Sequence, residues 1–325
     1  MVKESGSAIA SPNIAFIKYW GNKNSELRLP SNGSLSMTLN GLETRTTVYL
    51  DPGLSSDSLI INGETAGPLP LQRVSGFLDI LRQHFNQKDC AAIESNNNFP
   101  PGTGIASSAS AFAALAAAYT RAIGEFPDNR ELSILSRFGS GSASRSIHSG
   151  FVEWYAGEKS SESYAEQIAP PSHWNLVDLI IITGYAHKKV GSFAGHALAD
   201  TSPLQHARVQ NCRSRLDSCR TAILNRDFEL LAEIAELDSN LMHAVMLTSS
   251  PPLIYWEPAT ILLMKSIRTW REEGLPVFYT IDAGPNVHCF TTEQEHESVL
   301  RKIKSLPSVQ DVLISRPGEG IRYPD

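Results

Sequence analysis

The first half of the chain alternates apolar and polar side chains over several short stretches. A period of two is typical of strands that bury one face, and these stretches are rich in Ile, Val, Thr and Tyr. An Asn-Gly pair at 62–63 supplies a tight turn after one of them. The pattern predicts strands over residues 8–20, 34–50, 58–62, 89–96 and 150–156.

A period of 3.6 between apolar positions predicts the helices. Asp128, with Glu131 three positions later, fits a capping box at the start of one of them. Helices are predicted over residues 71–86, 106–123, 130–138, 203–224, 227–245, 258–273 and 294–305. Further strands are predicted over residues 177–184, 276–281, 287–291 and 310–314.

A polar stretch separates the two halves of the chain. Residues 157–175 contain a Pro-Pro pair and predict a connection, after which a strongly apolar strand begins. A chain of 325 residues is long for one core and sufficient for two. We therefore place a boundary near residue 180, between domains 1–180 and 181–325. The mixed order of elements predicts an α+β fold with helices on the faces of sheets.

Composition excludes several classes of partner. The net charge of −6 argues against a nucleic-acid interface. No apolar run has the length of about 18 residues that a membrane span needs, and the N-terminus lacks a signal-peptide core. The cysteines show no CxxC spacing, and Cys212 and Cys219 are too far apart along a helix for a disulfide. We expect a cytoplasmic protein with reduced thiols and no metal cluster.

The segment FPPGTGIASSA, residues 99–109, joins a Pro/Gly-rich loop to an alanine-rich helix. Unpaired N–H groups and the helix dipole make such a junction an anion site. The spacing matches neither the Walker pattern nor G-x-G-x-x-G. The segment predicts phosphate binding, of ATP in particular, and an ordinary N-capped helix is the alternative. The candidate residues are Pro101, Gly102, Gly104, Ala106, Ser107 and Ser108.

Three further segments narrow this interpretation. Residues 11–21 read SPNIAFIKYWG, residues 139–146 read GSGSASRS, and residues 280–286 read TIDAGPN. With PPGTGIASS, and in this order, they resemble the GHMP kinase superfamily and, within it, the mevalonate diphosphate decarboxylase family. The resemblance extends from about Ala10 to about Ile321.

The resemblance implies a GHMP kinase fold, with an N-terminal domain like domain 2 of ribosomal protein S5 and a ferredoxin-like C-terminal domain. It implies ATP-dependent decarboxylation of a phosphorylated mevalonate, with Mg²⁺ accompanying the nucleotide. Phosphorylation turns the 3-hydroxyl into a good leaving group, and the carboxylate then departs as CO2. A homodimer is also expected.

Two charged residues match catalytic positions of the family. By resemblance, Asp282 in TIDAGPN orients or deprotonates the 3-hydroxyl of the substrate. Arg145 in GSGSASR would hold the C1 carboxylate through two parallel hydrogen bonds. Taken alone, Asp282 could be a turn residue and Arg145 a surface residue, but the motifs around them favour the catalytic interpretation.

Other side chains match by the same resemblance. Lys18 would neutralise charge near the transferred phosphoryl group, and Ser107 would position the γ-phosphate and the hydroxyl. Trp20 is expected to pack rather than to bind. Substrate contacts are expected from Tyr19, Arg73, Ser140, Ser142, Arg145 and Ser192.

Two departures from the family pattern concern the substrate. The Lys that usually follows KYWG is Asn22. Many bacterial members carry KKVSSR where residues 188–193 read KKVGSF, so Ser192 is kept and the Arg position is Phe193. In the family these two cations bind the diphosphate, so their loss favours 5-phosphomevalonate, with isopentenyl phosphate, ADP, phosphate and CO2 as products. The alternative is 5-diphosphomevalonate, with compensation by one of four nearby residues: Lys23, Lys188, Lys189 or His196.

Two other functions compete with decarboxylation. A mevalonate 3-kinase would not need Asp282 and Arg145 together. A non-catalytic homologue would be expected to lose one of them, or the Gly-rich loop. The sequence keeps all three features, so decarboxylation is the expected function.

Overall fold

The computed structural model describes residues 4–99, 107–184 and 191–324. The strands of its first half are β1 (Glu4–Ala10), β2 (Asn13–Ile17), β3 (Asn22–Asn24), β4 (Leu29–Pro30), β5 (Ser34–Thr38), β6 (Thr44–Leu50), β7 (Ser58–Ile61), β8 (Glu64–Thr65), β9 (Ala91–Asn97), β10 (Phe151–Trp154) and β11 (Ala165–Ala169). Those of its second half are β12 (Leu176–Ile182), β13 (Val277–Thr280), β14 (Val287–Thr292) and β15 (Asp311–Ser315).

The helices alternate with these strands. They are α1 (Pro68–Phe85), α2 (Ser107–Ala122), α3 (Asn129–Gly139), α4 (Ser192–His196), α5 (Gln205–Gln210), α6 (Cys212–Asn225), α7 (Phe228–Thr248), α8 (Pro258–Glu272) and α9 (His296–Lys304). Short 3-10 helices cover Gly141–Ile147, Ser160–Glu162, Pro171–His173 and Ala199–Thr201.

Three larger sheets organise the described residues. The first has the strand order β1-β6-β9-β7-β8, the second β11-β10-β5-β2, and the third β13-β14-β12-β15. Strand β7 runs parallel to β9, and the other ladders are antiparallel. Strands β3 and β4 form a separate hairpin. This architecture confirms the predicted α+β class.

Helix α2 packs closely on the first sheet because its buried face consists mostly of alanine. Small side chains allow a short helix–sheet distance, and Gly6 of β1 shows how short it is. A Cβ atom on Gly6 would lie 2.3 Å from the carbonyl oxygen of Ala118. This packing places the start of α2 next to the residues that begin the 3-10 helix Gly141–Ile147.

Helix α7 joins the two halves of the protein through a shared apolar core. Leu231 and Ala235 of α7 are fully buried in the cluster that holds Phe16 of β2 and Phe278 of β13. The two phenylalanine rings are 6.3 Å apart. This contact brings the end of β2 next to the end of β13.

The structure corrects several predicted boundaries. The strand expected over 8–20 divides into β1 and β2 at Pro12, since proline has no N–H to donate to a ladder. The strand expected over 34–50 divides at Gly41, whose φ is +78°. The helix expected over 203–224 divides into α5 and α6 at Asn211.

The connection expected over residues 157–175 contains a strand. Strand β11 lies at the edge of the second sheet, where polar side chains face solvent, so its sequence lacks a strong apolar pattern. Helix α4 was not predicted either. The boundary placed near residue 180 falls inside β12, which pairs along its length with β14 and β15, and the domain division stays a prediction.

Other local expectations agree with the structure. The Asp128 side chain caps α3 by accepting the N–H of Glu131 at 2.8 Å. The four cysteines are free. Within the described residues, no helix has both the length and the apolar character of a membrane span.

Candidate active site

A cavity of about 350 Å³ lies where the ends of β2 and β13 meet the start of α2. It is lined by all the described residues that the sequence analysis assigned to the site: Lys18, Tyr19, Arg73, Ser107, Ser108, Ser140, Ser142, Arg145, Ser192 and Asp282. The remaining assigned residues, Pro101, Gly102, Gly104 and Ala106, lie outside the described residues. The cavity also contains Asn22, Arg28, Phe193 and His196.

Lys18 and Asp282 form an ion pair inside this cavity. The Lys18 Nζ atom lies 2.6 Å from Asp282 Oδ1, and the exposed fractions of the two side chains are 1% and 27%. Burial lowers the pKa of Lys18 below its usual value, although the carboxylate of Asp282 raises it. A lysine in this setting presents its charge to the cavity with little water around it, where a charge interacts strongly.

The backbone of Lys18 is held by a buried polar network. Asp238 of α7 accepts the Lys18 N–H at 2.6 Å, and Arg208 of α5 donates to the Lys18 carbonyl oxygen at 2.6 Å. Asp238 also accepts from Arg215 at 2.7 Å. Because α7 packs on β2, these groups fix the direction in which Lys18 leaves the strand. No local motif in the sequence marks Asp238, Arg208 or Arg215.

Asp282 follows β13 at the point where the chain leaves the third sheet. The hydroxyl of Ser239 bonds both the N–H and the carbonyl oxygen of Ile281, at 3.0 and 3.2 Å. The N–H of Gly284 bonds the Asp282 carbonyl oxygen at 2.7 Å. The backbone on both sides of the carboxylate is therefore fixed by helix α7 and by the turn.

Arg145 lies in the 3-10 helix Gly141–Ile147 and is 3% exposed. Its guanidinium donates two hydrogen bonds to Asn13 Oδ1, at 3.0 and 3.2 Å, and one to Ser34 Oγ at 2.5 Å. Burial lowers its pKa to about 10, so it stays charged at neutral pH. Neutral side chains orient this cation, which leaves its charge available to an anion in the cavity.

A line of serine hydroxyls connects α2 to this 3-10 helix. Ser108 Oγ lies 3.4 Å from Ser140 Oγ, which lies 3.3 Å from Ser142 Oγ. Gly141 lies between the last two, and a Cβ atom there would come within 2.6 Å of the Tyr19 ring. Glycine is therefore required at position 141 for the close approach of Tyr19.

Tyr19 is held by two aromatic contacts and by a hydrogen bond from its hydroxyl. Its ring stacks on His196 with centroids 4.1 Å apart, and its edge meets Trp154 at 4.8 Å. The hydroxyl donates to Asn22 Oδ1 at 2.5 Å. Asn22, which replaces a lysine of the family pattern, thus positions Tyr19.

Arg28, Arg73 and Phe193 form a second cationic group in the cavity. The guanidinium carbons of Arg28 and Arg73 lie 4.9 and 5.6 Å from the centroid of the Phe193 ring. In the sequence, Arg28 is marked only as a cation close to KYWG, which did not suggest a role. Its side chain reaches the cavity because the β3–β4 hairpin folds back.

Comparison with known proteins agrees with this geometry. Residues 10–165 match the family model of the diphosphomevalonate decarboxylase-like N-terminal domain. Residues 178–316 match the model of the mevalonate 5-diphosphate decarboxylase C-terminal domain. The chain belongs to the diphosphomevalonate decarboxylase family. The family lies in the GHMP kinase superfamily, as the motifs indicated.

Individual relatives are similar over most of their length. The human diphosphomevalonate decarboxylase is 37% identical to this chain, and the aligned region covers 87% of this chain and 76% of the human protein. The solved structure of the mevalonate diphosphate decarboxylase from Enterococcus faecalis superposes with a TM-score of 0.93 at 36% identity, over 100% of both chains. A structure described as MDDEF in complex with MVAPP, AMPPCP and magnesium gives a TM-score of 0.94 at 37% identity, also over 100% of both chains.

Proposed function

We propose that this chain is an ATP-dependent decarboxylase acting on 5-diphosphomevalonate. The observation that carries the proposal is the placement, in one cavity, of the Lys18–Asp282 ion pair, the Arg145 guanidinium and the serines that begin α2. The relatives named above favour the diphosphate as substrate and give no support to a 3-kinase that does not decarboxylate.

The start of α2 fits the phosphates of ATP. Ser107 and Ser108 line the cavity at the N-terminus of a sixteen-residue helix, where the N–H groups of the first turn and the helix dipole favour anions. When bound, ATP would supply the phosphoryl group that activates the 3-hydroxyl. The described residues contain no group of three His, Cys, Asp or Glu side chains suited to a metal ion. Mg²⁺ would therefore be held mainly by the nucleotide phosphates.

Asp282 and Lys18 would act on the 3-hydroxyl. The Asp282 carboxylate accepts a hydrogen bond from this hydroxyl and receives its proton as the oxygen bonds to the γ-phosphorus and the bond to ADP breaks. The Lys18 ammonium, 2.6 Å from Asp282, offsets the negative charge gathered there.

Arg145 would hold the C1 carboxylate in line with the reacting carbon. When the C3–O bond breaks, phosphate leaves with its electron pair and C3 becomes electron-poor. The C1–C2 pair then forms the C2=C3 double bond and C1 departs as CO2. Arg145 is already oriented by Asn13 and Ser34, so little further ordering is needed to bind the carboxylate.

5-Phosphomevalonate is a second candidate substrate. The specific observation is that Asn22 bonds Tyr19 and that Phe193 presents an apolar ring, so neither position offers a cation to a second phosphate. This substrate would use the same reacting groups and give isopentenyl phosphate.

The substrate series tests both candidates. ADP and CO2 are measured with mevalonate, 5-phosphomevalonate and 5-diphosphomevalonate under the same conditions. We expect equal amounts of ADP and CO2 and the highest kcat/KM with 5-diphosphomevalonate. A higher value with the monophosphate would replace the main proposal by the second, and ADP without CO2 would overturn both.

A further inference from the structure

Two guanidinium groups in the cavity, those of Arg28 and Arg73, have no carboxylate partner in the described part of the chain. Among the described residues, no acidic side chain lies within 4.0 Å of the charged atoms of Arg28 or Arg73. Arg73 donates one hydrogen bond, to the Gly139 carbonyl oxygen at 3.2 Å, and its buried Nε atom has no partner there. Burial and the charge of Arg28 together lower the pKa of Arg73 to about 10. Two repelling cations in one cavity attract an anion.

Four residues were candidates to replace the cations that are absent at positions 22 and 193. The two of them that lie in the described part of the chain supply no charge to the cavity. Lys23 pairs with Glu158 at 2.6 Å and does not line the cavity. Burial, with the charges of Arg28 and Arg208, lowers the pKa of His196 to about 3, so its ring is neutral. The remaining two candidates, Lys188 and Lys189, lie outside the described residues.

Arg28 occupies the cavity in an unusual backbone conformation. Its φ is +47°, in the left-handed region that residues other than glycine seldom adopt. Such conformations persist where the surrounding structure holds them and are frequent at functional sites. Here the β3–β4 hairpin turns at this residue and directs its side chain toward Arg73 and Phe193.

Phe193 gives the two guanidinium groups a common surface. Phe193 is 62% exposed, and the two guanidinium carbons lie 4.9 and 5.6 Å from the centre of its ring. An aromatic face attracts cations without neutralising them. The ring can therefore position both guanidinium groups without using their N–H donors, of which one, on Arg73, bonds Gly139.

We propose that Arg28, with Arg73, binds the 5-phosphate or 5-diphosphate group of the substrate, and that Phe193 positions both guanidinium groups for this contact. A guanidinium offers parallel N–H donors that match phosphate oxygens. The two cations that the family pattern places at positions 22 and 193 are absent, and Arg28 supplies one cation from a different position. The inference rests on the proposed function only in that the substrate is a phosphorylated mevalonate.

Calorimetric binding without turnover tests this inference. The ligands are 5-diphosphomevalonate, inorganic pyrophosphate and unphosphorylated mevalonate. The variant is Arg28→Asn, because asparagine tolerates the left-handed conformation. The matched control is Arg226→Asn, since Arg226 is an exposed arginine with φ of +56° at the end of α6.

We expect Arg28→Asn to raise the Kd of both phosphorylated ligands at least tenfold and the Kd of mevalonate less than twofold. Adding Asn22→Lys and Phe193→Arg to Arg28→Asn should restore most of the lost affinity. The control should bind all ligands like the wild type, and circular dichroism should show intact folding.

Phosphorylated ligands that bind Arg28→Asn within twofold of the wild type would overturn the inference. So would a wild-type protein that binds neither of them. Failure of the proposed function would give a different result. The protein would form no CO2 and no ADP, while its binding of phosphorylated ligands would still depend on Arg28.

Discussion

Lys18 and Asp282 are 264 positions apart in sequence, yet Lys18 Nζ lies 2.6 Å from Asp282 Oδ1. Each residue follows a strand of a different sheet, and helix α7 packs against both strands. The reacting groups therefore meet only when the two halves of the protein are assembled. A change in the packing of α7 should affect catalysis as well as stability.

Asp282→Asn should nearly abolish ATP-dependent decarboxylation. The amide keeps the shape of the side chain, but it cannot accept a proton and no longer balances the charge of Lys18. Loss of a placed catalytic base costs about two to four orders of magnitude in kcat. Binding of a non-hydrolysable ATP analogue should stay within a few-fold of the wild type. Asp200→Asn, at an exposed aspartate, is the control, and a variant with more than roughly a tenth of wild-type turnover would remove Asp282 from the mechanism.

Arg145→Lys should lose most of its decarboxylase activity, although the positive charge is kept. One ammonium cannot reproduce the hydrogen bonds to Asn13 and Ser34 together with a two-point contact to a carboxylate. We expect kcat/KM to fall on the order of a hundredfold, with unchanged circular dichroism. Arg45→Lys, at an exposed arginine on β6, should behave like the wild type. Near-normal activity of Arg145→Lys would show that another group holds the carboxylate.

Asp238→Asn should destabilise the protein. Asp238 is fully buried and faces Arg215 at 2.7 Å and Arg208 at 3.8 Å. Removal of one member of a buried ion network leaves uncompensated charge and costs about 3–5 kcal/mol. Urea denaturation monitored by fluorescence measures this free energy of unfolding. A loss below about 1 kcal/mol, comparable with that of Asp200→Asn, would show that the network is not needed for folding.

His243 should make stability depend on pH. Burial lowers its pKa to about 3, from 6.5 for a free histidine, so the folded protein keeps the ring neutral. The unfolded chain binds a proton below about pH 6.5, hence this histidine reduces stability as pH falls from about 6.5 toward 3. Between pH 7 and pH 5, the free energy of unfolding of the wild type should fall by about 2 kcal/mol more than that of His243→Gln. Denaturation curves at the two pH values give the difference, and His206→Gln, at an exposed histidine, is the control. Equal losses in wild type and His243→Gln would contradict the assignment.

Much of the fold could be predicted because its patterns are local. The alanine-rich run of α2 and the apolar strand β12 show their period and length in the sequence itself. The break at Asn211 and the edge strand β11 could not be predicted, because neighbouring elements rather than local propensity decide them.

Some residues of the candidate site could likewise be predicted from local motifs, and others could not. Lys18, Arg145 and Asp282 lie in recognisable motifs, and the structure places all three in one cavity. Asp238 acquires its role only when α7 packs on β2, and Arg28 enters the cavity only through the β3–β4 hairpin. Contacts of this kind depend on tertiary structure, so sequence spacing gives no sign of them.

The ratio of CO2 released to ADP formed tests the central claim most directly. A single turnover of the wild-type protein with saturating ATP, Mg²⁺ and 5-diphosphomevalonate should give the two products in equal amounts, because the Lys18–Asp282 pair and Arg145 act on one bound substrate. Asp282→Asn should reduce both products together. ADP formed without CO2 would contradict the account, since it would show a phosphoryl transfer that this site does not couple to loss of the carboxylate.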